Sequence, residues 1–342
     1  SSCSSIKKKK NYFCFYKIFK DYLSIMFFNK DTSPFDFGDF WLTFGRTTDC
    51  PRGFRIWTRQ KLQKFVIDFC WPEESDSCGI GGTCIRQKTG NRCFCPDGFM
   101  GRGCIRPCQD IYQSCERWLK EKRCEWAKPI SPFFFDNCPS SCGACKEGGK
   151  KLRLPLPPIL EPISWIIGRW KTRTLSSGFR FPVPLPSAYE EVLEFAIMPV
   201  PAFDRPPLSV SVQTTLLKDK STQHREVGFM TGKPFREDTG FAILNKPKTG
   251  DDLVAIEMVS NNGMITIEEG ILLKNEIRLN TVHKVSYFGN THPSVFRSAN
   301  RSFHLLSEHL LEERVRLVQS SGKILKFRKK YVKIFDHFTD FV

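Results

Sequence analysis

The chain has 342 residues, 52 Lys and Arg against 36 Asp and Glu, a formal charge of +16 and fifteen cysteines. That length suits two or more domains, and the odd cysteine count leaves at least one thiol outside any pairing within the chain. The charge alone would suit nucleic acid, but no basic stretch interleaves aromatics and glycines as RNA-binding motifs do, and disulfide-rich chains rarely meet nucleic acid, so no such partner is expected.

Residues 1–69 open with Lys7-Lys8-Lys9-Lys10 and then Asn11-Tyr12-Phe13-Cys14-Phe15-Tyr16, which imitates a secretory leader. Lys17, Lys20 and Asp21 break the apolar run, and only Tyr22 to Asn29 is uncharged thereafter, so a signal peptide is not convincingly present. Nothing reaches the roughly 20 apolar residues of a membrane-spanning helix, and no transmembrane segment is expected. The bias toward Lys, Phe, Asn, Ile and Tyr is also what AT-rich non-coding DNA would encode. The segment is therefore left unassigned, as disordered or not genuine coding sequence, and Cys3, Cys14 and Cys50 belong to no module.

Residues 70–104 carry Cys70, Cys78, Cys84, Cys93, Cys95 and Cys104, with seven, five, eight, one and eight residues between them. A segment this short has too little apolar material for a core and needs covalent cross-links. Spacing alone leaves fifteen pairings open. The closing run Cys95-Pro-Asp-Gly98-Phe99-Met-Gly101-Arg-Gly-Cys104 resembles an EGF-like module, whose two glycines supply positive φ at tight turns. That resemblance implies Cys70–Cys84, Cys78–Cys93 and Cys95–Cys104. Calcium is not expected, because Phe65-Val66-Ile67-Asp68-Phe69 offers Asp68 alone as an oxygen ligand.

Residues 108–145 carry Cys108-Gln-Asp110, Cys115-Glu-Arg-Trp118, Cys124 and Cys138-Pro-Ser-Ser-Cys142-Gly143-Ala-Cys145. They resemble the ShK toxin-like (ShKT) module, common in nematode secreted proteins, which implies Cys108–Cys145, Cys115–Cys138 and Cys124–Cys142. Glu116 to Lys122 is predicted as a short helix with Trp118 and Leu119 facing the bridges. The Lys-Tyr pair of channel-blocking relatives is missing from the interval after Cys124, which favours a structural or partner-binding role. Phe133-Phe134-Phe135 is either core or contact patch, and contact is the reading taken. Zinc is not expected: only Cys142 and Cys145 have knuckle spacing, and all six histidines lie from His224 to His337.

Residues 146–158, with Gly148-Gly149-Lys150-Lys151 and Leu154-Pro155-Leu156-Pro157-Pro158, read as a Gly/Lys/Pro linker. Beyond it there is no cysteine, so 159–335 needs an ordinary hydrophobic core. Leu193, Phe195 and Ile197, and Leu208, Val210, Val212 and Thr214, alternate with mostly polar neighbours. Ile265 with Ile267, Val285 with Tyr287 and Val315 with Leu317 do likewise, which predicts strands with one wet and one buried face. Asn261-Asn262-Gly263 and Lys248-Thr249-Gly250-Asp251 mark turns. The fold class is thus multidomain, two small disulfide-rich modules followed by an all-β antiparallel barrel or sandwich.

Four separated runs, Leu160-Glu161-Pro162-Ile163-Ser164-Trp165-Ile166-Ile167-Gly168-Arg169-Trp170, Tyr189-Glu190-Glu191, His224-Arg225-Glu226-Val227-Gly228-Phe229 and Ile267-Glu268-Glu269-Gly270, resemble nitrobindin-like barrels, including the heme-binding barrel at the C-terminus of a THAP-domain protein. The resemblance implies a lipocalin-like barrel over 159–335, a tail at 336–342, heme b, and chemistry on nitric oxide or peroxynitrite. Its axial histidine stands three residues before a last-strand tyrosine, and counting back from Tyr331 gives Arg328. A protonated guanidinium has no lone pair for iron, so Arg328 is predicted not to coordinate. His304, His309 and His337 are the nearest substitutes. His224 is read as a strand-end histidine bonded to Glu226 or a carbonyl, and Trp165 and Trp170 as plugs of the closed end. Adjacent Glu268 and Glu269 point to opposite faces and cannot act as a pair.

The chain is expected to be a secreted, non-catalytic binding protein with extracellular protein or glycan partners and a barrel that has lost its heme ligand. A peroxynitrite-isomerase-like heme protein is the alternative, and lipid carriage a remote third. The sequon Asn300-Arg301-Ser302 is compatible with glycosylation outside the cell.

Overall fold

A computed structural model describes, with side chains, residues 70, 78–79, 81–86, 91–128, 133–148, 151–175, 178–202, 205–218, 224–232, 253–286 and 296–338, and the backbone alone of 3–8, 11–17, 23–29 and a few strand ends. Asp68, Cys50, the turn at 248–251 and Tyr287 lie outside the described residues, as does the rest of 1–69. Described by itself, the N-terminal stretch forms an antiparallel sheet of β1 (Cys3–Lys8), β2 (Asn11–Lys17) and β3 (Leu23–Asn29). Strand structure here departs from the expectation of disorder. Its aromatic and β-branched residues, Phe13 and Phe15 facing Phe27 and Ile25 across the ladder, are strand formers whatever their origin.

In 70–104, β4 (Thr83–Ile85) pairs with β5 (Arg92–Phe94), and β6 (Phe99–Met100) with β7 (Arg106–Pro107). In 108–145, α1 (Cys115–Lys120), α2 (Arg123–Ala127) and α3 (Phe133–Asn137) wrap around the bridges. The predicted helix ends earlier than expected, and Trp118 is buried whereas Leu119 faces solvent. Phe133 and Phe134 of the phenylalanine run belong to the core, contrary to the contact reading, while Phe135 lies under Lys128. Phe133 and Phe134 pack on Trp118 with ring centroids 6.3 and 5.4 Å away, and Tyr112 stacks on Phe133. So small a module turns most of its large rings to its sulfurs, although Trp126 stays exposed.

The C-terminal region is a closed antiparallel barrel of ten strands: β8 (Gly168–Thr174), β9 (Tyr189–Ile197), β10 (Leu208–Leu216), β11 (Thr222–Lys233), β12 (Leu253–Ser260), β13 (Met264–Leu272), β14 (Glu276–Ser286), β15 (Phe296–Ser307), β16 (Leu310–Gln319) and β17 (Ile324–Phe335). Each strand pairs with its neighbours in sequence, and β17 returns to β8 to close the ring. Closure leaves no edge strand. One end is capped by a 3-10 helix, Pro158–Ile166, and Leu160, Ile163 and Ile166 join Trp170, Phe195 and Phe303 in the larger core.

Two segments at the margins are more ordered than their composition suggests. Leu152 and Leu156 of the expected linker are buried in the barrel core, and Phe338 of the expected tail packs against the same core. Strand positions agree with the alternation in the sequence, but one face does not. On β13 Ile265 is exposed while Met264, Thr266 and Glu268 point inward, and Val285 on β14 also faces out. Apolar alternation assigns a strand, yet only the barrel's register decides which parity is inside.

Candidate functional site

The barrel interior is layered. The capped end is apolar, and a second apolar cluster at the other end gathers Phe181, Met264, Phe296, Ala299, Val315 and Leu317. Between them lies a belt of buried charge from six strands and one loop. Inward parity on β9 runs Tyr189, Glu191, Leu193, Phe195, Ile197, and on β17 Leu325, Phe327, Lys329, Tyr331, Lys333. The ionic residues therefore sit at mid-depth, one step along from aliphatic ones.

Arg180 enters from the connection between β8 and β9 and is almost wholly buried. Its Nε donates to Glu191 Oε2 at 2.6 Å and its Nη2 to Glu226 Oε1 at 2.8 Å. Thr214 Oγ1 donates to Glu191 Oε2 at 3.1 Å. Glu191 Oε1 accepts from Lys329 Nζ at 2.6 Å and from the Tyr331 hydroxyl at 2.5 Å. Glu313 Oε2 lies 2.8 Å from Lys329 Nζ and 3.0 Å from that hydroxyl. Arg301 closes the belt, its Nη2 2.6 Å from Glu268 Oε2 and its Nη1 3.5 Å from Glu313 Oε1, with the guanidinium over the rings of Phe181 and Phe303.

Burial pushes these groups apart. Desolvation raises the Glu191 carboxyl, but Lys329 and Arg180 more than offset it and hold it well below the usual carboxylate range. Glu226 is likewise lowered, with burial overcome by Arg180 and His224. Burial lifts Tyr189 to about 12. Glu268 goes the other way. Arg301 Nη2 stands 2.6 Å from one of its oxygens, yet burial outweighs that cation and pushes the group to about 7. Four carboxylates thus face three permanent cations, and a proton on Glu268 balances them.

Each residue singled out in the sequence can be placed. His224 points inward on β11 and its Nε2 is bonded to the Glu226 carboxylate. Trp170 is fully buried and donates from Nε1 to Ile166 O at 2.8 Å, while Trp165 packs partly buried against the same core. Glu268 is fully buried and Glu269 exposed. Arg328, which the resemblance puts at the axial-ligand position and which is predicted not to coordinate, is exposed on the outer wall, opposite Arg314 on β16. In a pleated strand an odd offset changes face, so stepping back three from the inward Tyr331 leaves the interior. No side chain at position 328 of this strand faces the cavity side.

An axially ligated heme does not fit these residues. The inward face of β17 offers no imidazole, Phe181 fills the end opposite the cap, and the one inward-facing histidine among the described residues has its Nε2 engaged by Glu226. His304 is on an outward position of β15, His309 is in a surface turn, and His337 follows β17 beside Phe335.

The sequence reading gave no role to Arg180, Glu313 and Lys329, and named Glu191, Arg301 and Tyr331 only as parts of motifs. Their signal was available as charge at apolar parity, as in Glu191 two residues before Leu193.

All six bridges form: Cys70–Cys84, Cys78–Cys93, Cys95–Cys104, Cys108–Cys145, Cys115–Cys138 and Cys124–Cys142. The sulfurs of Cys70, Cys78 and Cys93 lie within 4.8 Å of one another, but bridged sulfur has no thiolate to offer a metal.

A family model described as the THAP4-like, heme-binding beta-barrel domain matches residues 159–330, and one described as ShK domain-like matches 107–145. The Caenorhabditis elegans protein C28H8.5 is 26% identical over 217 residues, 61% of this chain and 66% of its own length. The rat peroxynitrite isomerase THAP4 is 28% identical over 166 residues, 48% of this chain and 25% of its own. The chain therefore spans less than two thirds of either relative. The solved structure of Rv2717c from M. tuberculosis aligns with 52% of this chain and 98% of its own at 18% identity and a TM-score of 0.37, too low to add to the fold assignment.

Proposed function

Because this chain belongs to the THAP4-like, heme-binding β-barrel family and carries an ShK-like domain before the barrel, we propose that it is an extracellular binding protein whose barrel does not hold heme through an axial histidine. The observation that carries this reading is the inward face of β17, Leu325, Phe327, Lys329, Tyr331 and Lys333, with Tyr331 tied to Glu191 and Glu313. Six bridges within 70–145 support an oxidising compartment, and the first module is read as EGF-like. Hemin titration tests it. We expect no saturable one-to-one Soret band, and none from Arg328→His either, because that imidazole would stand on the outer wall. A tight stoichiometric Soret complex of the native protein would sink the reading.

A second reading, a heme barrel acting on peroxynitrite, rests on the family match and on the activity in the rat relative's name. His224 is its candidate ligand, through the ring nitrogen that Glu226 does not hold. His224→Ala would then abolish a Soret band that the native protein shows. Nothing in the interior favours a lipid, since an ionic belt crosses it at mid-depth.

A further inference from the structure

The outer wall over β14–β17 carries a feature that the barrel's own stability does not call for. A groove of about 820 Å³ is lined by Arg278, Arg314, Arg316, Lys326 and Arg328, with Glu276 as its one carboxylate. Its lining on β14 and β15, from Glu276 to Asn280 and from Asn300 to Ser302, lies within the stretch over which these two strands pair. Outward residues stand here in two registered rows across four strands. One row is Arg278, Ser302, Arg314, Arg328, and the next is Asn280, Asn300, Arg316, Lys326.

Like charges directly opposite destabilise an antiparallel pair. This wall has two such pairs side by side, Arg314 with Arg328 and Arg316 with Lys326. Arg278 and Arg314 have local carboxylates, Glu276 and Glu312, whereas Arg316, Lys326 and Arg328 have no acidic partner among the described residues. At about 4.8 Å between strands, each row spans roughly 14 Å, a repeat of guanidinium, amide, hydroxyl and ammonium donors suited to several anionic groups held on one chain.

We propose that this groove binds a sulfated polysaccharide. Guanidinium forks match sulfate oxygens, and Asn280, Asn300 and Ser302 match sugar hydroxyl and amide groups. The eight row positions hold no aromatic ring to stack a nucleobase, and since Leu279, Val315 and Phe327 belong to the inward parity, Ile271 is the one outward apolar lining residue, too little to enter a bilayer. The inference deepens the extracellular-binding reading and rests on it by naming the partner's chemistry, but it uses the outer wall and is independent of heme.

The test is anisotropy of a fluorescent heparin octasaccharide with the full, oxidised chain, alongside phosphatidylserine vesicles and a single-stranded oligonucleotide. Arg316→Glu with Arg328→Glu should weaken heparin binding at least about tenfold, since each removes a charged hydrogen bond. Arg225→Glu reverses one exposed charge on β11, at least three strands away around the ring from any strand of the two rows, and should change it less than about twofold. The double variant should melt no lower than the native chain, because it relieves the repulsion. Equal losses per reversed charge at both sites, tighter binding of vesicles or oligonucleotide than of heparin, or a native glycan on Asn300, which would fill the groove, would each overturn the proposal. Lost binding with all six bridges intact sinks the groove alone, whereas reduced cysteines in native material sink the extracellular reading.

Discussion

Glu268 sits where a carboxylate is least comfortable: fully buried, with Arg301 as its one close cation and Glu313 and Glu226 near. Its ordinary value of 4.5 rises to about 7, chiefly through burial. An acid with a raised folded value keeps its proton where the unfolded chain has lost it, so stability falls as pH climbs between about 4.5 and 7 and is level above. The shift corresponds to roughly 3 kcal/mol. Urea unfolding of native and Glu268→Gln proteins at pH 5 and 7.5 should show the native chain losing about that much relative to the variant. Parallel pH profiles would refute it. Glu191 and Glu226 have the opposite sign: held low by their cations, they contribute stability above the usual carboxylate range that disappears on acidification. Neither the belt nor the outward place of Arg328 follows from residue type. Both depend on inward parity, which a strand pattern leaves open until its neighbours are known.

The modules show how elements substitute for one another. Among the described residues, the core cluster of the ShK-like region is Trp118, Phe133, Phe134 and Tyr112 around its sulfurs. Phe134→Ala should cost about 3–5 kcal/mol if the site cannot collapse, read as a lower midpoint in guanidinium with all bridges retained. A change below about 1 kcal/mol would return that ring to the role of contact surface. Cysteine spacing and the closing motifs were legible as modules because covalent frameworks constrain sequence strongly. The phenylalanines were not, since in a domain this small the same apolar run serves as core or as patch. The apparent linker misled for a related reason. Its glycines, lysines and prolines dominate the composition, but Leu152 and Leu156 decide its structure by docking into the barrel.

Across the whole of 70–339, disulfide region and barrel are joined by a buried polar seam. Glu161 of the barrel cap accepts from the Arg102 backbone N–H at 2.7 Å and pairs with Arg106, itself buried and donating to Asp136 O at 3.0 Å. Gly101 lies so close to Glu161 that a Cβ there would overlap the carboxylate. Gln109 exchanges two hydrogen bonds with the backbone of Leu152. The barrel itself contains no cysteine, so reduction should unfold 70–145 and leave the barrel standing, with its seam face wet. Glu161→Ala separates the two contributions. In the oxidised protein it strands the Arg106 guanidinium in a buried seam, at a cost of about 3–5 kcal/mol. In the reduced protein Arg106 is hydrated and the same substitution should shift the barrel's melting point little. Thermal melts of both proteins in both redox states measure the coupling directly. A deficit that persists unchanged after reduction would mean that Glu161 serves the cap alone and the modules are merely tethered.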